Sequence, residues 1–135
     1  MNSSRQEHAP SASLRRSADR LHVIISAPPG VLPAVRLRSV LEHELVALRA
    51  LLFGHFASEE EGGYLADLVQ AKPDLLDAAE ELRAQHATLR NEFESLVQAA
   101  ADAPLDALVE RIGAALETFD AHEHAEAKLI SGDLE

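Results

Sequence analysis

Two histidine–carboxylate pairs stand at helical spacing far apart in the chain: His55 with Glu59 in "GHFASEEEGGY", and His122 with Glu126 in "AHEHAEAKLI". Residues four apart share one face of a helix, about one turn from each other. Turned inward, such a face presents an imidazole and a carboxylate together, away from water. A third histidine, His86 in "LRAQHATLRNEF", lies between the two pairs in sequence. Imidazole nitrogen and carboxylate oxygen suit iron, manganese or zinc. The chain has no cysteine, which removes thiolate ligands, disulfides and thiol catalysis. The chemistry to weigh first is metal binding.

The elements that must position these groups are helices. Leu, Ala and Glu dominate and aromatic residues make up only 4% of the chain, so strand-forming residues are scarce. A first helix is predicted from about Ser11 to Ala27, with Leu14, Ala18, Leu21 and Ile25 on one stripe, ended by Pro28-Pro29-Gly30. A second begins near Pro33 and carries Leu41, Leu45, Leu48, Leu52, His55 and Glu59. Gly62 and Gly63 are a weak point in it, ahead of "YLADLVQ". The third begins near Pro73, with Leu75, Ala79, Leu82, His86, Leu89, Phe93 and Leu96. The fourth begins near Pro104, with Leu105, Leu108, Ile112, Ala115, Phe119, His122, Glu126 and Leu129. Proline suits a first turn, where its missing N–H is no loss. Steps of three and four with short connections predict an all-α, up-down-up-down antiparallel four-helix bundle over residues 11–135, preceded by a polar, flexible segment 1–10.

Height along such a bundle is a second test. Residues of antiparallel neighbours lie level when they are equally far from the connecting turn. His86 and His122 are equally far from Pro104, and Glu59 and His86 are equally far from the Lys72–Pro73 bond. The polar interruptions of three stripes therefore converge on one slab. A lone histidine on an apolar stripe is usually a hydrogen-bonded core residue. Three level histidines with two core glutamates, each needing a partner, make a metal site of His55, Glu59, His86, His122 and Glu126 the expectation. Glu60 and Glu123 are turned about 100° from the seam and are expected outside it. His43 and His124 are expected at the surface, and neither His8 nor His22 is assigned as a ligand. Without metal, Glu59 and Glu126 read as uncompensated charges, so leucine at either position is expected to stabilise the metal-free fold.

These residues resemble the hemerythrin-like, HHE cation-binding family. "HFASEEEGGYL" is similar to that family's second-helix motif, "LRAQHATLRNEF" to its third, and "HEHAEAKLI" to its fourth-helix HxxxE motif, together covering about residues 40–130. The resemblance implies a four-helix bundle around a non-heme di-iron centre with an oxo or hydroxo bridge. It implies terminal ligands at His55, His86 and His122 and bridging carboxylates at Glu59 and Glu126. The pattern departs from the oxygen carriers at Leu82 and Arg90, one turn either side of His86, where a further histidine is absent. The set therefore reads as three histidines and two carboxylates, poorly suited to reversible oxygen carriage.

The formal net charge of −11 argues against nucleic acid or an anionic membrane as partner. "LHVIISA" is too short for a secretory or spanning segment and is broken at once by "PPG", so a cytoplasmic protein is expected. The leading functional reading is binding of one or two irons, with dioxygen, nitric oxide or peroxide as a small ligand, for sensing or protection. Zinc and manganese also suit the donors. Any sensor output would pass through a separate protein partner. Two alternatives stand: a metal-free or degenerate helical interaction module, and a non-heme iron enzyme activating peroxide or oxygen. The second ranks lower because no substrate pocket is legible in the sequence.

Overall fold

The structure, a computed structural model, describes residues 12–62 and 64–131. The N-terminal segment 1–10 with His8, as well as Gly63, falls outside the described residues. Among the described residues five α-helices follow in order: α1 Ala12–Ser26, α2 Ala34–Gly62, α3 Tyr64–Ala71, α4 Leu76–Ala99 and α5 Leu105–Ser131, with a 3-10 turn at Pro73–Leu75 before α4. No strand occurs among the described residues, and none of their helices is long and apolar enough to cross a membrane. The chain is all-α, with four main helices packed as a helical bundle and α3 as a short extra element.

Local chemistry sets the boundaries. The Pro33 and Pro104 carbonyls accept the first bonds of α2 and α5, from the N–H groups of Leu37 at 2.8 Å and Leu108 at 2.9 Å. Between α1 and α2, the Val31 N–H bonds to the Pro28 carbonyl at 3.3 Å, with Gly30 at φ +90°. That geometry fits a type II turn, with proline at its second position and glycine at the third, where only glycine is unstrained. α2 is described as far as Gly62 and α3 from Tyr64, and the predicted weak point at the glycine pair includes Gly63, which lies outside the described residues.

The predicted stripes are buried almost entirely, from Leu14, Ala18 and Leu21 on α1 to Phe119 and Leu129 on α5. Ile25, near the end of α1, and Leu75 and Leu105, at helix starts, are only partly buried. The buried apolar residues form two clusters. The larger fills most of the bundle and ends at Phe56, Leu89 and Phe119. The smaller contains Ala79, Leu82 and Leu129, with Leu68 and Val69 of α3 packed against it. Across α2 and α4, Arg38 reaches Ala100, Arg49 reaches Glu94 and Glu60 reaches His86, so numbers rise on one helix as they fall on the other. One slab separates the two apolar clusters, and it is polar.

Candidate metal centre

That slab holds His55, Glu59, His86, His122, Glu123 and Glu126, all buried. Donor atoms of Glu59, His86, His122 and Glu126 lie within 4.8 Å of one another, as do those of His55, Glu123 and Glu126. α2, α4 and α5 thus each contribute to one cluster, with the larger apolar core on one side and the α3-capped one on the other. Glu59 sits centrally: its Oε1 is 3.2 Å from His86 Nε2 and its Oε2 is 3.0 Å from His55 Nε2. Neither contact has hydrogen-bond geometry.

The far sides of two rings are already occupied. His86 Nδ1 is 2.8 Å from Glu60 Oε2, and His122 Nδ1 is 2.7 Å from Gln85 Oε1. Glu60 has a lowered pKa: burial opposes its ionisation, but Arg90 and His86 outweigh burial. An ionised carboxylate can only accept, so His86 donates through Nδ1, and the Gln85 amide oxygen likewise accepts from His122. Each ring then has Nε2 left to meet the cluster. A histidine whose rear N–H is tied to a carboxylate or amide oxygen is oriented as metal-binding histidines are. Phe56 stacks on His86 at 4.0 Å between ring centroids and 12° between planes, and meets His122 edge-on at 5.5 Å. Arg90 lies over the Phe56 ring, 5.6 Å from its centroid, and bonds Glu60 at 3.1 Å, which ties the support together.

Of the eight buried side-chain polar atoms without a hydrogen-bond partner among the described residues, seven lie in this slab: Nε2 of His55, His86 and His122, and both oxygens of Glu59 and Glu123; the eighth is Ser17 Oγ. Buried polar atoms left unsatisfied are costly, and a cation placed among these would satisfy several of them at once. The donor set is nitrogen and oxygen with no sulfur, matching transition-metal sites of the imidazole–carboxylate kind. The residues fit a metal ion: the buried His/Glu cluster could hold one.

The electrostatics follow the same geometry. Burial, and then the charges of His86 and His55, push His122 down to about 4, which keeps its imidazole neutral and ready to donate a lone pair. Burial opposes the charged form of His55, but Glu59 and then Glu123 outweigh it and raise its pKa. Burial also opposes ionised Glu59, yet His55 and His86 hold its pKa well below the usual carboxylate range. Glu123 is raised by burial, with Glu59 repelling its charge as well.

A pH prediction follows from His122. Between pH 6.5 and 4 the unfolded chain binds a proton at this residue that the folded chain excludes, so stability falls as pH drops through that window. The full separation is worth about 3 kcal/mol. His55 contributes above pH 6.5, where stability is lost as pH rises through its folded pKa. Raised Glu123 works against His122, since its contribution is lost as pH rises above 4.5. Urea unfolding of metal-free parent and His122→Leu at pH 6.5 and 4 isolates the effect. The parent is expected to lose up to about 3 kcal/mol more than the variant, and equal losses would show that His122 titrates normally.

The remaining histidines are placed elsewhere. His43 and His124 are exposed. His22 is half-buried and pairs with Asp120, Nε2 to Oδ2 at 3.1 Å, beside Arg15, which bonds the other Asp120 oxygen. It takes no part in the cluster. Two expectations need correction, those for Glu123 and Glu59. Glu123 is not outside the seam but buried in the cluster, because a helix packed on two neighbours buries an arc wide enough for both His122 and Glu123. Glu60 does leave the seam, yet bonds back to His86. Glu59 is not uncompensated without metal, since His55 and His86 flank it. Phe56 carries a signal that the seam pattern passes over: it stands four residues after Leu52 on the same stripe. Gln85 has no such signal in its spacing.

Comparison with known proteins leaves the site to speak for itself: no family model matches the chain, and no curated protein or solved structure matches it significantly.

Proposed function

We propose that the chain is a cytoplasmic, hemerythrin-like metal-binding protein, an up-down-up-down four-helix bundle that holds one or two non-heme irons. His55, His86 and His122 would be terminal ligands, with Glu59 and Glu126 shared between positions. The observation that carries this reading is the set of unpartnered, buried Nε2 and carboxylate atoms meeting between two apolar clusters. When bound, iron in such a site supplies an open position for dioxygen, nitric oxide or peroxide. The chain's own residues do the rest. Glu60 and Gln85 orient two imidazoles, Phe56 fixes their planes, and Leu82 and Leu129 keep bulk water away. A role in sensing or protection fits, and a sensor would signal through a separate protein partner.

The test is to load the metal-free protein with Fe(II) anaerobically and record its visible spectrum as air is admitted and then removed. The expected result is a new charge-transfer absorption that does not return to its starting state over repeated cycles. Three imidazoles supply fewer nitrogen donors than reversible carriage requires. An unchanged spectrum with iron bound would sink the small-ligand reading, and full cycling would show a carrier.

A further inference from the structure

We infer that the cluster holds two cation positions of unlike chemistry, and that the outer one, built on Glu123, takes a hard, oxygen-preferring divalent ion such as Mn(II) once the inner one is filled. The inference rests on the metal-binding reading above and adds to it the number, order and preference of the ions. Two groups of donors are present rather than one. The inner group is Glu59, His86, His122 and Glu126; the outer group is His55, Glu123 and Glu126. Glu126 belongs to both, and the two oxygens of Glu59 face His86 on one side and His55 on the other. A carboxylate shared in this way links two positions.

The positions differ in donors. The inner has two imidazoles and two carboxylates. The outer has one imidazole and two carboxylates, with Glu59 Oε2 beside it. Imidazole-rich sites suit zinc and iron, whereas carboxylate-rich ones suit manganese. They also differ in preparation. Both inner rings are held from behind, by Glu60 and Gln85, and Phe56 packs on them. Side-chain exposure is 0% for Glu59 and His86 but 6% for His55 and 7% for Glu123, so the outer position lies nearer the surface. A prearranged, dry site fills first, and the position nearer water exchanges more readily.

Glu123 is the residue that makes the outer position a site. It is more than nine-tenths buried, neither oxygen has a hydrogen-bond partner, and Oε2 is 3.8 Å from His55 Nε2. A buried carboxylate with nothing to accept is aimed at an absent donor or an absent cation. One divalent ion leaves a cluster of three carboxylates still attractive to a second.

The experiment uses the whole chain with Glu123→Leu and Glu123→Gln. Metal-free protein receives one equivalent of Zn(II), then Mn(II), whose free six-line electron paramagnetic resonance signal reports what remains unbound, while native mass spectrometry counts the ions. In the parent, one zinc and one manganese are expected on the same chain. Both variants should keep the zinc with affinity within about threefold and lose manganese affinity tenfold or more. Retained zinc binding also shows that the variants are folded. Parent-like manganese binding in both variants overturns the inference, as does a single ion in parent and variants alike. Loss of both metals together in the variants also overturns it. A parent that takes up neither ion overturns the metal-binding reading itself.

Discussion

Loaded with Fe(II) or Zn(II), the protein will melt far above its metal-free form, and His86→Ala will erase most of the difference. A ligand that binds only the folded state stabilises it by mass action, about 4 kcal/mol when free ligand is a thousand times its dissociation constant. For a domain of this size that corresponds to a shift on the order of 15 °C. The donors come from α2, α4 and α5, so an ion ties together three helices that are otherwise joined by packing and a few side-chain hydrogen bonds. His86 is the sharpest place to break the site. Its Nε2 meets Glu59 Oε1, its Nδ1 is committed to Glu60, and its ring carries the Phe56 stack. The metal-free His86→Ala protein will itself be weaker, so the quantity to compare is the shift on adding metal, read by calorimetry at fixed protein and metal concentration. A parent-sized shift in the variant would remove His86 from the site.

Leucine in place of two buried glutamates will act with opposite signs on the metal-free fold. Glu59 lies between His55 and His86 and is held ionised by them, so Glu59→Leu leaves His55 without its nearest counter-charge. Removing one partner of a buried pair costs roughly 3 kcal/mol or more, less whatever His55 recovers by shedding its proton. Glu123 is raised by burial and its oxygens have no partner, so Glu123→Leu exchanges an unfavourable group for an apolar one and is expected to stabilise by about 1 kcal/mol. Chemical denaturation of both metal-free variants at pH 7 measures the pair. If the two shift the midpoint in the same direction, the electrostatic account of the metal-free protein is wrong.

Much of the fold and the site is legible in the amino-acid sequence, for a physical reason. Apolar steps of three and four fix a helix face, and proline fixes where the helix starts. The level of Glu59, His86 and His122 then follows from distance to the turns alone. What spacing does not encode is the breadth of the buried arc, which is why the stripes leave Glu123 outside the seam and pass over Phe56. Nor does it encode what a side chain does once off the seam. Glu60 is turned outward as expected, but a glutamate has reach, and here it curls back to His86 while Arg90 holds it. Glu59 differs from expectation for the same reason: a single helix displays its charge, while its partners come from two.

The most direct measurement of the central claim is metal per chain, by elemental analysis of protein grown with iron and desalted, across the parent and four histidine variants. The account predicts bound transition metal in the parent, the same amount in His43→Ala and His124→Ala, whose rings are exposed, and a large loss in His86→Ala and His122→Ala. Equal metal content in all five, or none in the parent even after loading with iron, zinc and manganese in turn, would contradict it.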